Sequence, residues 1–148
     1  MSWYITYEVD GLGNALFMDD ANVPSLLSLP YLGCVPADDP VYLNTRKMLL
    51  SPENPYYFAG VCARGIGSPH TPPDYIWPIS LCIQGLTATD GEEIRSLADM
   101  PENMDADTLL MHEGVHKDDP KQFTRPWFAW ANSIFSEFVE KAVDCLNM

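Results

Sequence analysis

The sequence predicts a mainly α-helical chain whose helices are separated by long loops rich in Asp, Asn, His and Gly. Three observations carry this. Near the C-terminus Trp127, Ala131, Ile134, Phe138 and Ala142 recur at helical spacing and make one apolar stripe. Asp39 and Asp90 each stand where an N-cap would open a further helical stretch. The thirteen prolines and nine glycines cluster between the periodic segments.

Taken in order, residues 10–24 (DGLGNALFMDDANVP) read as a polar, glycine-bearing loop. Asn22 is placed to cap a short helix from Pro24 to Leu32, with Gly33 as its stop. Asp39-Pro40 opens a second helix running to about Leu50, and Ser51-Pro52 ends it. Residues 52–74 are loop-like, with a short strand pair expected around Tyr57 and Val61. Residues 75–88 (YIWPISLCIQGLTA) are apolar on nearly every face, which predicts a helix buried all round. Asp90 with Glu93 is a capping-box variant that starts the next helix, which ends at or before Pro101. Thr124 as cap and Pro126 in the first turn open the last helix, with Glu137, Glu140 and Asp144 away from its apolar stripe.

At 148 residues the chain is the size of one domain, and 47% hydrophobic residues give it a real core. A net charge of −13 disfavours nucleic acid or an anionic membrane as partner. Cys34, Cys62, Cys82 and Cys145 form no C-x-x-C pair and sit in apolar neighbourhoods, so buried free thiols are expected. No segment reads as a signal peptide or a membrane span, and the compartment is left unassigned. The apolar, aromatic segment at Trp3 begins without a lead-in, as if the chain opened within a folded region.

One stretch spells a metal site. His112-Glu113-Gly114-Val115-His116 matches H-E-x-x-H, in which two histidines four apart on a helix share a zinc and the glutamate is the base. That reading needs a helix continuing past the second histidine and a third ligand. Lys117, Asp118, Asp119 and Pro120 follow instead, and Gly114 weakens the helix further. A zinc hydrolase is therefore a remote alternative, and no metal or cofactor is expected. The plainer readings are a backbone-binding Glu113 and a hydrogen-bonded core His112.

The loops offer sugar-binding chemistry. Asp19, Asp20 and Asn22 supply acceptors and amide donors, Arg46 and Arg64 fixed charged donors, and His70, Tyr75 and Trp77 a further donor and aromatic faces. Glycoside hydrolysis usually needs two carboxyl groups. Glu113 qualifies as one; Asp10, Asp19 or Asp20 qualifies as the other, and spacing does not choose among them.

Four long segments carry a resemblance: YEVDGLGNALFMDDANVPSLLSLPYLG, YLNTRKMLLSPENPYYFAGVCARGIGSPHTP, YIWPISLCIQGLTA and MHEGVHKDDPKQFTRPWFAWANSIFSEFV. In order and over nearly the whole chain they resemble the C-terminal part of glycoside hydrolase family 125, the metal-independent exo-acting α-1,6-mannosidases. The resemblance implies part, about half, of an (α/α)6 barrel of the six-hairpin glycosidase type. It implies inverting release of mannose from α-1,6-linked mannosides such as N-glycan fragments. The glutamate of the family's M-H-E motif is its general base, which falls on Glu113. The resemblance also supports Asp19, Asp20, Asn22, His70 and His112 as substrate contacts, with Arg64 and Trp77 as further candidates.

The chain departs from the family in three places. Gly114 stands where the family commonly has Ser, and Asp105, Ala106 and Asp107 stand where it has glycine-rich residues. The family's general acid, an aspartate, lies upstream of the matching region. Twelve helices of ~12 residues with loops of ~4–6 need roughly 200 residues, so five or six helices are expected here. The chain is thus expected to be a fragment or one part of a split protein, inactive alone or a non-catalytic glycan binder, with the missing N-terminal half as partner.

Overall fold

The computed structural model describes residues 3–100 and 103–146. Asp39 caps as its position predicts: its carboxylate accepts from the backbone N–H groups of Val41 (2.8 Å) and Tyr42 (2.9 Å). Helix α1 (Pro40–Leu49) follows, with Pro40 in its first turn. A two-stranded ribbon precedes it, β1 (Glu8–Val9) against β2 (Ala15–Leu16). The hairpin expected near Tyr57 is present as β3 (Tyr57–Ala59) against β4 (Arg64–Ile66), with Val61 in its turn.

Three expectations are corrected. No helix spans Pro24 to Leu32; the segment is a run of turns with i→i+3 bonds such as Ser28 N to Ser25 O and Gly33 N to Pro30 O. Pro30 removes a donor from the middle of that helix, and the Asp19 carboxylate takes the N–H groups of Leu26 and Leu27. The apolar segment starts as a strand, β5 (Tyr75–Ile76), and becomes helix α2 (Pro78–Leu86) only after Trp77. The last helix, α4 (Ala129–Leu146), starts after Thr124, Pro126 and Trp127, because Thr124 pairs in a strand.

Helix α3 (Gly91–Asp99) is capped by Asp90, which accepts from Glu92 N (3.1 Å). Glu93 does not complete a capping box; it pairs with Arg46 at 2.9 Å. Pro101 lies outside the described residues. The described residues hold four helices, not five or six. None is long and apolar enough to cross a membrane.

Helix α2 is at the centre of the core, packed against α3 and α4, which also pack on each other. Ile79, Leu81, Cys82 and Ile83 meet Ile94 and Leu97 of α3 and the expected stripe Ala131, Ile134, Phe138 and Ala142 of α4. A Cβ at Gly85 would overlap the Phe138 ring, so glycine there lets α2 and α4 approach. Lys141 closes the C-terminal end of α2 by donating to the carbonyls of Gly85, Leu86 and Ala88. Of the cysteines, only Cys82 is buried, where desolvation pushes its thiol up to about 12.

A third sheet positions the site. Strand β6 (Gly114–His116) lies between β5 and β7 (Phe123–Thr124), with Ile76 opposite Val115 and Gly114 opposite Thr124. This sheet sets the residues after Glu113 beside the N-terminal end of α2.

Candidate functional site

Glu113 immediately precedes β6, and its backbone N–H donates to Thr124 O (3.2 Å). Its side chain is only 12% exposed, and Oε1 lies 3.2 Å from Nε of Arg125, whose own side chain is 64% exposed. The Arg125 guanidinium also sits 5.4 Å from the centroid of the Phe128 ring. Phe128 meets Trp77 edge to face at 6.1 Å. A Cβ at Gly114 would stand 3.3 Å from the indole Cδ1 and Nε1 of Trp77. A carboxylate, a cation and two aromatic rings packed edge to face therefore share one corner.

Two of the sugar-site loops are tied to each other and to that corner. Ala21 N donates to Gly67 O (3.0 Å), which ties the DDANVP loop to the GIGSPHTP loop. Trp77 Nε1 donates to Thr71 Oγ1 (3.0 Å), which folds the second loop over the indole. Asp20 and Asn22 close on each other, since Asp20 Oδ1 accepts from Asn22 N and Nδ2. His70 is exposed at the loop tip, where its backbone N–H donates to Ser68 Oγ.

Four candidates stand elsewhere than expected. Asp19 is fully buried, and both carboxylate oxygens are occupied, at 2.9 Å each, by the N–H groups of Leu26 and Leu27. Burial pushes its carboxyl up to about 6. His112 is also fully buried. Its ring stacks on Phe123 at 3.9 Å, and its nitrogens face Pro126 O (2.8 Å) and Asp105 O (3.2 Å). Trp77 is buried beneath the Thr71 loop. In this structure the polar atoms of these three are engaged by their own chain. Arg64 is exposed but lines a different cavity, of about 430 Å³, with Gln84, Asp90 and Glu93 beyond the far end of α2.

The zinc reading fails on geometry. Residues 114–116 are a strand, which rises about 3.3 Å per residue, so no helical face brings His112 and His116 together. His112 is enclosed as described, while His116 Nδ1 accepts from Asp118 N and its ring meets Tyr75. Arg46, offered as a loop donor, is committed to Glu93 and Gln84 O.

Sequence reasoning missed Arg125, Phe128 and Thr71. Arg125 adopts φ 47°, a left-handed conformation that costs a non-glycine residue roughly 1–2 kcal/mol. Ala106 (52°), Asp107 (62°) and Leu109 (60°) share it in the loop before Met111. Such strain clusters at functional sites. The only sequence signal was a basic residue followed by proline, which is weak.

The family model for metal-independent α-mannosidases, glycoside hydrolase family 125, matches residues 3–140. The chain belongs to glycoside hydrolase family 125. A family-125 α-mannosidase structure from Streptococcus pneumoniae, a non-productive complex with α-1,6-mannobiose, superposes with a TM-score of 0.93. It is 52% identical and covers 95% of this chain, which spans 33% of that one. The meiotically up-regulated gene 157 protein of Schizosaccharomyces pombe is 60% identical over 134 residues, 90% of this chain and 26% of its own length. The chain therefore spans between a quarter and a third of the length of these two relatives.

Proposed function

We propose that these residues form the base-bearing part of an inverting exo-α-1,6-mannosidase site within an (α/α)6 barrel. The observation that carries this is the setting of Glu113: a mostly buried carboxylate held by one cation beside an aromatic wall. In that role one oxygen of Glu113 takes a proton from a water molecule as the water oxygen attacks the anomeric carbon. A carboxylic acid on the opposite face of the sugar protonates the leaving oxygen, about 6.5–9.5 Å away as inversion requires. His70 and the Asp20–Asn22 pair are the remaining candidates for contact with the sugar hydroxyls.

The acid would come from the remainder of the family-125 domain. Asp19 is buried and fully bonded, and the Asp10 carboxylate is turned inward on Leu12 N and Asn14 N in the β1–β2 turn. The exposed apolar residues Val139 and Val143, four apart on one face of α4, supply a surface for that remainder to cover. For the 148 residues alone, the occupied aspartates favour a second reading, mannoside binding without turnover.

The test is Glu113→Gln in the whole protein, assayed on α-1,6-mannobiose. Hydrolysis should be lost while binding is retained, and chelators should leave the parent enzyme unchanged. Near-normal turnover in the variant would sink the assignment.

A further inference from the structure

We propose that Arg125 is a positioning residue for Glu113, fixing one carboxylate oxygen so that the other receives the water proton. This rests on the reading of Glu113 as the base. The ion pair uses Nε of Arg125 and Oε1 of Glu113, which leaves Oε2 as the oxygen for proton transfer. A carboxylate anchored through one oxygen swings less, which favours a set distance from the reacting oxygen to the water.

The cation is itself held. Its guanidinium lies against Phe128, and Phe128 rests on Trp77, which is locked by Thr71 and by the backbone of Gly114. Behind it, the carbonyl of Pro126 accepts from His112 Nδ1, so the residue before Glu113 clamps the residue after Arg125. The left-handed φ of Arg125 persists inside this frame. A surface ion pair between mobile side chains would need none of these supports. With the Arg125 side chain largely exposed, the pair sits at the edge of the core, where a carboxylate can meet a ligand.

The experiment uses the whole protein and α-1,6-mannobiose, with Arg125→Ala, Arg125→Lys and Glu113→Gln in parallel. Arg125→Ala should lower kcat by about 10–100-fold, the scale of a misplaced catalytic group, with KM changed by less than about 3-fold. Added guanidinium chloride at millimolar concentration should restore part of kcat to Arg125→Ala and none to Glu113→Gln. Arg125→Lys keeps the charge but not the planar Nε donor, so it should lose kcat with an unchanged Tm. If Arg125→Ala does not fold, Arg125→Lys decides alone. Wild-type kcat in Arg125→Lys and Arg125→Ala, or a loss without rescue that tracks a fall in Tm, overturns the proposal. An inactive Glu113→Gln beside a normal Arg125→Ala leaves the base assignment standing and removes only the role of Arg125. An active Glu113→Gln removes the base assignment itself.

Discussion

The indole of Trp77 lies against the backbone of Gly114, the residue that follows Glu113, close enough that a Cβ at 114 would touch Cδ1 and Nε1 at 3.3 Å. Thr124 Oγ1 bounds the same space from the paired strand, also at 3.3 Å. One small atom fits there with slight adjustment, and a branched side chain does not. Gly114→Ala should stay within about 1 kcal/mol of the parent, because gained strand propensity offsets the tight contact. Gly114→Val should cost about 1–3 kcal/mol by overpacking and should reduce activity as β6 shifts under Glu113. Thermal melting and kcat/KM of the two variants, side by side, check this; equal behaviour would mean the indole yields freely.

Asp19 gives the fold a pH dependence of unusual sign. Its carboxyl titrates near 6 in the folded chain because burial disfavours the charge, against an ordinary value of 3.8. The folded state therefore binds the proton more tightly than the unfolded one. The associated stability is fully present below about pH 3.8 and is lost as pH rises through about 6. On the order of 1–3 kcal/mol is involved, since each pKa unit is about 1.4 kcal/mol. Asp19→Asn should be less stable at every pH, because its amide nitrogen cannot accept from both Leu26 N and Leu27 N. Its Tm should nevertheless lack the parent's fall between pH 4 and 6.5. Parallel curves for the two proteins would show that Asp19 titrates normally.

What the sequence made legible follows from how local each signal is. The Asp39 cap and the α4 stripe depend on residues within a turn or two; the cap and the stripe from Ala131 to Ala142 are where the pattern puts them, while Trp127 falls before the helix and is exposed. The start of α4 and the start of α2 were misread because Thr124 and Tyr75-Ile76 are recruited as partners of β6, a pairing across 40 residues for the latter. Propensity cannot see that pairing. The Pro24–Leu32 helix was lost to a buried carboxylate five residues before it. Glu113 stood out through the long motif around it, not through spacing. Arg125 did not, because its meeting with Glu113 depends on the register of β6 against β7.

The loop before Met111 carries left-handed residues without glycine. Leu109 has φ 60°, and its side chain is 88% exposed, so little packing justifies a leucine there. Its N–H donates to Asp105 Oδ2 (3.1 Å), a bond that glycine would keep. Leu109→Gly should raise stability by about 0.5–1 kcal/mol, the relief of the left-handed strain less the extra freedom glycine has when unfolded. A lower Tm in this variant would place the loop in another conformation in solution.

His112 is the last strut. Its ring is stacked on Phe123 with an interplanar angle of 5°, and its nitrogens meet carbonyls from both flanking loops, Asp105 and Pro126. It thereby joins the loop entering Glu113 to the turn bearing Arg125. His112→Ala leaves a cavity and removes the one ring N–H that a neutral imidazole offers to these carbonyls, and should cost about 3–5 kcal/mol. His112→Phe keeps the stacking and loses the ring's hydrogen bonding, and should cost about 1–3 kcal/mol. Both should lower kcat/KM, because each loosens the frame around Glu113 without touching its carboxylate. A His112→Phe protein with full stability and full activity would show that the stack alone holds the two loops together.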